Sequence, residues 1–237
     1  AAMGRRVVIT GLGTVSGFGV GIAALWEGMT SGRSAIKRIT AFDPSGFPCR
    51  LAAEAAGFAG AKDFVPKSYR KAVKVMARDT ELAVAAAKCA VDDAGIATRG
   101  TLPEGATEGT TYRPERMGCH IGAGLIAAET DELTMALATA EANTEAAGNP
   151  VSGSGGELPR HAMDWRAWGN AAGGKGAMNN LQPLWLLKYL PNMPACHIGI
   201  RYDARGPNNT IAEGDVSSLL ALSEAVDVIR RGHADVM

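Results

Sequence analysis

Gly206-Pro207-Asn208-Asn209-Thr210-Ile211-Ala212-Glu213-Gly214-Asp215-Val216-Ser217-Ser218 reads as a strand, a bend and the opening of a helix. The strand covers Gly206 to Ala212, and the helix runs from Val216 to Gly232. Asp is among the best N-cap residues, so the simplest role for Asp215 is to cap that helix, with Ser218 in its first turn.

Outward from this stretch, strands and helices alternate. Upstream lie a short apolar helix at Leu184 to Leu190, a turn at Pro191-Asn192-Met193-Pro194, and a helix or strand at Ala195 to Tyr202. Met117 to Gly122 reads as a buried strand, followed by a helix through Leu125, Leu133, Met135 and Leu137. Val73, Met76, Ala77, Leu82, Ala83, Ala86, Cys89 and Ala90 recur at helical spacing and predict one helix over Ser68 to Ala94. Gly95 followed by Ile96 writes a Schellman stop, and the alanine-rich face suits close packing on another helix. At the start, Arg6 to Thr10 reads as a β-branched strand ending in the glycine loop Gly11-Leu12-Gly13, and Ser16-Gly17-Phe18-Gly19 opens a helical pattern that runs through Ala24, Leu25 and Trp26 to Gly32. Residues 143–180 carry ten Gly and Pro and read as a flexible insertion within one domain spanning 1–237, with Trp165 and Trp168 pinning part of it.

Composition narrows the function. Lys plus Arg and Asp plus Glu stand at 24 each, so no net charge draws the chain to nucleic acid or an anionic membrane. Aromatics at 5% leave little for base stacking. No apolar run approaches the roughly eighteen residues of a membrane span, and a cytoplasmic location follows. Cys49, Cys89, Cys119 and Cys196 stand far apart and read as reduced thiols. Cys119-His120 with Cys196-His197 is a conceivable metal site, but adjacent residues on a strand point apart, so packing is expected and no metal. Gly11-Leu12-Gly13 suggests a dinucleotide loop, yet the third glycine of that pattern falls on Ser16 and no acidic strand end follows. Glycines that admit another backbone are the stronger reading, and no cofactor is expected.

Several blocks in order resemble the β-ketoacyl synthases of fatty acid and polyketide assembly. Arg5 to Gly13 is similar to their first strand, Leu25-Trp26 through Ile36 to their first helix and its exit, and Phe42-Asp43 to the turn after it. Leu190 to Ile200, Gly206-Pro207-Asn208 and Ile229 to Met237 are similar to later blocks. The resemblance implies an α/β layered, thiolase-like fold, specifically the N-terminal half of a synthase. It also implies acyl carrier protein or coenzyme A thioesters as partners, and a homodimer or a heterodimer with an intact synthase.

The family places a nucleophilic cysteine at the bend between the Gly-Pro-Asn strand and the next helix. Counted without a gap from Gly206-Pro207 forward and from Glu224-Ala225 back, that position is Asp215. A thiolate at a helix N-terminus is a stabilised, strong nucleophile that forms a transferable thioester. A carboxylate there is more inert, would form a high-energy anhydride, and repels a malonyl carboxylate. The resemblance therefore implies a condensation-incompetent homologue, with chain-length-factor subunits as the nearest analogue. A competing reading makes Asp215, with Glu213, a general base acting on acyl thioesters as a hydrolase, a decarboxylase or a proton-abstracting enzyme. A third makes the chain an inactive structural module. Ser217 lacks a GxSxG setting, and none of His120, His161, His197 and His233 can be placed beside it. The family's second half supplies two histidines and a lysine, so the resemblance also implies a cleaved or excised fragment, or one part of a split protein. His197 matches a block in which the histidine is structural.

Overall fold

The computed structural model describes residues 5–103, 106, 108–140, 164–169 and 176–237. Its contacts divide the chain into two compact units, Ala1–Ile126 with Leu190–Met237, and Ala127–Tyr189.

The first unit departs from expectation at its start. Arg6 to Thr10 forms no strand: Val8 and Ile9 are exposed, and none of the described residues pairs with them. A β-branched run becomes a strand only when its N–H and C=O groups find a ladder. The ladder forms instead between β1 (Val15–Ser16) and β2 (Gly19–Val20), which pair antiparallel and lead into α1 (Ile22–Thr30). A second antiparallel pair, β3 (Lys37–Arg38) with β4 (Leu51–Ala52), follows.

The helix expected over Ser68 to Ala94 is two helices. A 3₁₀ turn at Lys67–Tyr69 runs into α2 (Arg70–Val73), the chain turns through Lys74 to Ala77, and α3 spans Arg78–Asp93. Extended backbone at Ala77 breaks the ladder, Asp79 and Glu81 supply the acidic first turn that suits a new N-terminus, and Arg78 donates to the Phe58 carbonyl at 2.9 Å. Apolar spacing carried through the break because Val73, Met76 and Ala77 are buried on both sides of it. The stop is as expected: Ile96 N–H bonds Val91 O at 3.2 Å, Gly95 N–H bonds Asp92 O at 3.0 Å, and Gly95 has φ +63. The alanine face packs on the extended segment before β1. A Cβ on Gly11 would sit 2.7 Å from the Ala94 Cβ, and one on Gly13 2.8 Å from the Cys89 Cβ. Leu12 N–H then reaches Asp93 Oδ2 at 2.9 Å.

The centre of this unit is layered. β5 (Cys119–Gly122) pairs in parallel with β6 (Asn208–Ile211), Cys119 opposite Asn208 and Gly122 opposite Ile211. The segment at 195–202 resolves as a helix, α7 (Met193–Tyr202), begun by Pro194 in its first turn. α7 lies between α3 and one face of the strands, and α8 (Ser217–Arg230) covers the other. Alternation along the strands assigns the faces. Cys119 joins Met117, Ile198 and Tyr202 in the core, and Asn208 Nδ2 donates to Ala195 O of α7 at 3.3 Å. The neighbouring Asn209 donates instead to Glu224 of α8, at 2.9 Å. Val236 bridges Met117 in parallel, held by Arg116, which grips Asp235 through Nε and Nη2 at 2.9 and 2.6 Å.

In the second unit, α4 (Thr130–Ala138) begins five residues after Leu125, which is 96% exposed and outside the helix expected to include it. α5 (Trp165–Gly169) leaves Trp165 72% exposed among the described residues, and the parts of the insertion that Trp165 and Trp168 are expected to pin lie outside them. α6 (Trp185–Lys188) is shorter than expected because Leu184 adopts a left-handed conformation before it. Lys188 is buried and donates to Glu132 at 2.7 Å, and the Tyr189 hydroxyl donates to the same carboxylate at 2.9 Å. Of the expected insertion at 143–180, only 164–169 and 176–180 are described, and the rest of it lies outside the described residues. No described helix is long and apolar enough to cross a membrane.

The Arg116 hydrogen bonds hold the Asp235 carboxyl down to about 2. A depressed carboxyl stabilises above its unfolded pKa, and that contribution is lost as pH falls through its folded one. Urea midpoints of the protein and of Asp235→Asn will therefore differ at pH 5 and converge as pH approaches about 2.

Candidate functional site

The bend is built by a glycine and a hydroxyl. A Cβ on Gly122 would fall inside contact distance of the Ser218 N and Cα and of the Ser217 carbonyl carbon, so the end of β5 touches the first turn of α8 directly. Ala123 N–H continues the ladder to Ile211 O at 2.9 Å. Between Ile211 and Ser217 the chain makes a 3₁₀ turn at Gly214–Val216, entered by Gly214 at φ +60. Ser217 ties it off. Its hydroxyl donates to Gly214 O at 2.6 Å and accepts Glu213 N–H at 2.8 Å, and the residue is buried.

Asp215 is not the N-cap that the sequence predicts. It sits within the 3₁₀ turn, Val216 occupies the cap position, and no side chain makes a capping bond there. Two residues ahead of α8, its carboxylate is exposed and forms no hydrogen bond or ion pair with any described residue. Ser217, the first residue of α8, instead reaches back and fastens the 3₁₀ turn, leaving the first N–H groups of the helix without a side-chain cap. With both hydrogen bonds made and the residue buried, the Ser217 hydroxyl is unavailable as a nucleophile. Glu213 is exposed on the same turn, its N–H committed to Ser217.

No described histidine serves the bend. His120 lies beneath α8 with its side chain 3% exposed and Nδ1 3.3 Å from Glu224 Oε2, two turns past the bend. That distance suits an ion pair with a protonated ring, but its angles do not make a hydrogen bond, and Nδ1 is otherwise unpartnered. His197, on the opposite layer, meets the Tyr69 hydroxyl at 3.0 Å, and burial pushes its pKa down. His233 follows the far end of α8, and His161 lies outside the described residues. Nor is a thiol there. Cys119 stands at the opposite end of β5 from Gly122, and burial pushes its thiol up to about 12. Cys196 is on α7, Cys89 on α3, and Cys49 beside β4. His120 and His197 face opposite layers, and among the described residues no three His, Cys, Asp or Glu gather as metal ligands. Gly11 and Gly13 lie against the backbone of α3 at Ala90 and Ala86, the close approach that the glycines permit.

The β-ketoacyl synthase N-terminal domain family matches residues 4–237. The chain belongs to the β-ketoacyl synthase family. It is 30% identical over 238 residues to the actinorhodin polyketide β-ketoacyl synthase 1 of Streptomyces coelicolor, covering 98% of this chain and 40% of that protein. It is 28% identical over 233 residues to the 3-oxoacyl-[acyl-carrier-protein] synthase 2 of Coxiella burnetii, covering 98% and 44%. The chain thus spans less than half the length of these relatives. Among solved structures, the ishigamide ketosynthase/chain length factor superposes with a TM-score of 0.64 at 23% identity, over 98% of this chain and 46% of that one. A β-ketoacyl synthase from Burkholderia phymatum superposes at 0.60 and 22% identity, over 98% and 45%. Both bear out the layered α/β fold.

The close contact at Gly122 predicts that Gly122→Val costs about 1–3 kcal/mol of stability by forcing β5 off α8. Ser217→Ala, which strands the Glu213 N–H, costs about 1–2 kcal/mol. Urea denaturation measures both.

Proposed function

We propose that this chain is a β-ketoacyl synthase homologue of fatty acid or polyketide assembly that does not condense. In this reading it works beside a cysteine-bearing synthase in the cytoplasm, as a chain-length-factor subunit does. The observation that carries it is the exposed carboxylate of Asp215 on the bend, with Ser217 buried and doubly bonded and every thiol elsewhere. A carboxylate attacking a thioester would have to form an anhydride, which lies above the thioester in energy, and its charge repels the carboxylate of a malonyl unit. The pairing of ketosynthase with chain length factor in the name of one structural neighbour supports the partner reading. So does the acyl carrier protein bound to its ketosynthase in another, AntDE:AntF.

Incubation with malonyl and acyl thioesters tests this. The expected result is thiol and carbon dioxide release no faster than the thioester alone, together with a 1:1 complex on size exclusion when a cysteine-bearing synthase is added. Turnover that disappears in Asp215→Asn would instead establish Asp215 as a general base.

A further inference from the structure

α8 is fastened to the strand pair at two points on one face of β5. Cys119 and Ile121 turn to the core, so the alternate residues His120 and Gly122 lie together on the other side, under the helix. Gly122 meets the first turn backbone to backbone, a contact fixed by shape. His120 meets the middle of the helix through a side chain that is 3% exposed, with Nδ1 3.3 Å from Glu224 Oε2 and in no hydrogen bond with any described residue. The Glu224 carboxylate is already held in place. Asn209 Nδ2 donates to both of its oxygens, at 3.2 and 2.9 Å, while Asn209 Oδ1 accepts Thr210 N–H at 2.9 Å.

A neutral imidazole here leaves a buried nitrogen unsatisfied, whereas an imidazolium forms an ion pair that joins β5, β6 and α8 at one carboxylate. Histidine is the side chain whose charge changes between about pH 5 and 8. The other charged groups on these elements are engaged or face elsewhere. On α8, Asp227 is exposed and paired with Arg231 at 3.6 Å, and Arg230 is exposed in the last turn. β6 carries no titratable side chain. Cys119 and the α7 groups Cys196, His197 and Arg201 belong to the opposite layer, and Arg116, ahead of β5, is committed to Asp235. His233 lies beyond the end of α8, its N–H on Val228 O at 3.0 Å.

We propose that His120 is a proton-operated clamp on α8. Protonation ties the middle of the helix to β5 through Glu224. Loss of the proton leaves that carboxylate to Asn209, with the helix pinned at its first turn against Gly122 and looser beyond it. The fastening tightens as pH falls through the histidine range and persists until the carboxylate itself takes up a proton.

Hydrogen exchange read by mass spectrometry at about pH 5.5 and about pH 7.5, with rates corrected for the intrinsic pH dependence of exchange, tests the clamp on the native chain. Protection of residues 219–228 is expected to be at least about twofold higher at the lower pH, with no such gain in α3 on the opposite layer. His120→Gln and Glu224→Gln each abolish the difference, the second while keeping an oxygen for Asn209. His233→Gln, which removes the histidine beyond the end of the helix, preserves it. A gain below about twofold in the native chain, a gain shared equally by α3, a gain that survives in either His120→Gln or Glu224→Gln, or one that disappears in His233→Gln would each overturn the proposal.

Discussion

The end of β5 touches the first turn of α8 through a residue without a side chain, and the geometry of the bend follows from that contact. β6 runs beside β5 in register and stops at Ile211, opposite Gly122, while α8 must begin against that same glycine. Only the residues from Ala212 to Val216 remain to turn the chain, so they rise as a tight 3₁₀ loop fastened below by the Ser217 hydroxyl. Whatever side chain stands at 215 is thereby held out at the start of a helix, where backbone N–H groups favour negative charge. The scaffold suits an anionic group at this point whether it is a thiolate or a carboxylate. What differs is the chemistry each can perform.

The two sides of the strand pair are kept distinct by consecutive asparagines. Asn208 reaches α7 and Asn209 reaches α8, so neighbouring residues of one strand lock the two covering layers in place. The α8 side is more polar than a buried layer ordinarily is, because His120 lies under the helix beside Glu224. Those groups sit two helical turns past the bend and bear on packing rather than on Asp215.

Much of this was legible in the residues. Periodicity located α3 and α8, the Gly95-Ile96 stop was correctly written, and strand and helix about the bend fell where Pro207, Ile211 and Val216 imply. What failed had physical causes. Arg6 to Thr10 has strand composition, but composition cannot supply a partner. The helix over Ser68 to Ala94 kept its apolar period across a turn because burial, not helicity, sets that period. Residue type alone makes Asp215 a cap, whereas the cap is decided by where the first turn starts, which depends on the distant contact with Gly122. A glycine closing a buried strand directly before Ala123-Gly124 was the one local sign of that contact. The glycines at 11 and 13 admit the backbone of α3, which is the packing role that their spacing favours.

The charge distribution shows how averaging misleads. Equal totals of acid and base exclude a uniform field, yet the chain places its excess base in the first third, on ribbons and short helices at the surface. Local fields within a Debye length, about 10 Å at ordinary salt, are what a partner meets.

The chemistry at position 215 is settled most directly by intact-protein mass spectrometry after exposure to an acyl thioester, with the modified site mapped by proteolysis. The native chain should keep its mass, and Asp215→Cys should gain one acyl group confined to residues 212–218. An acyl group on Asp215 of the native chain, or on Cys89, Cys119 or Cys196, would contradict the claim that this bend has lost its power to accept one.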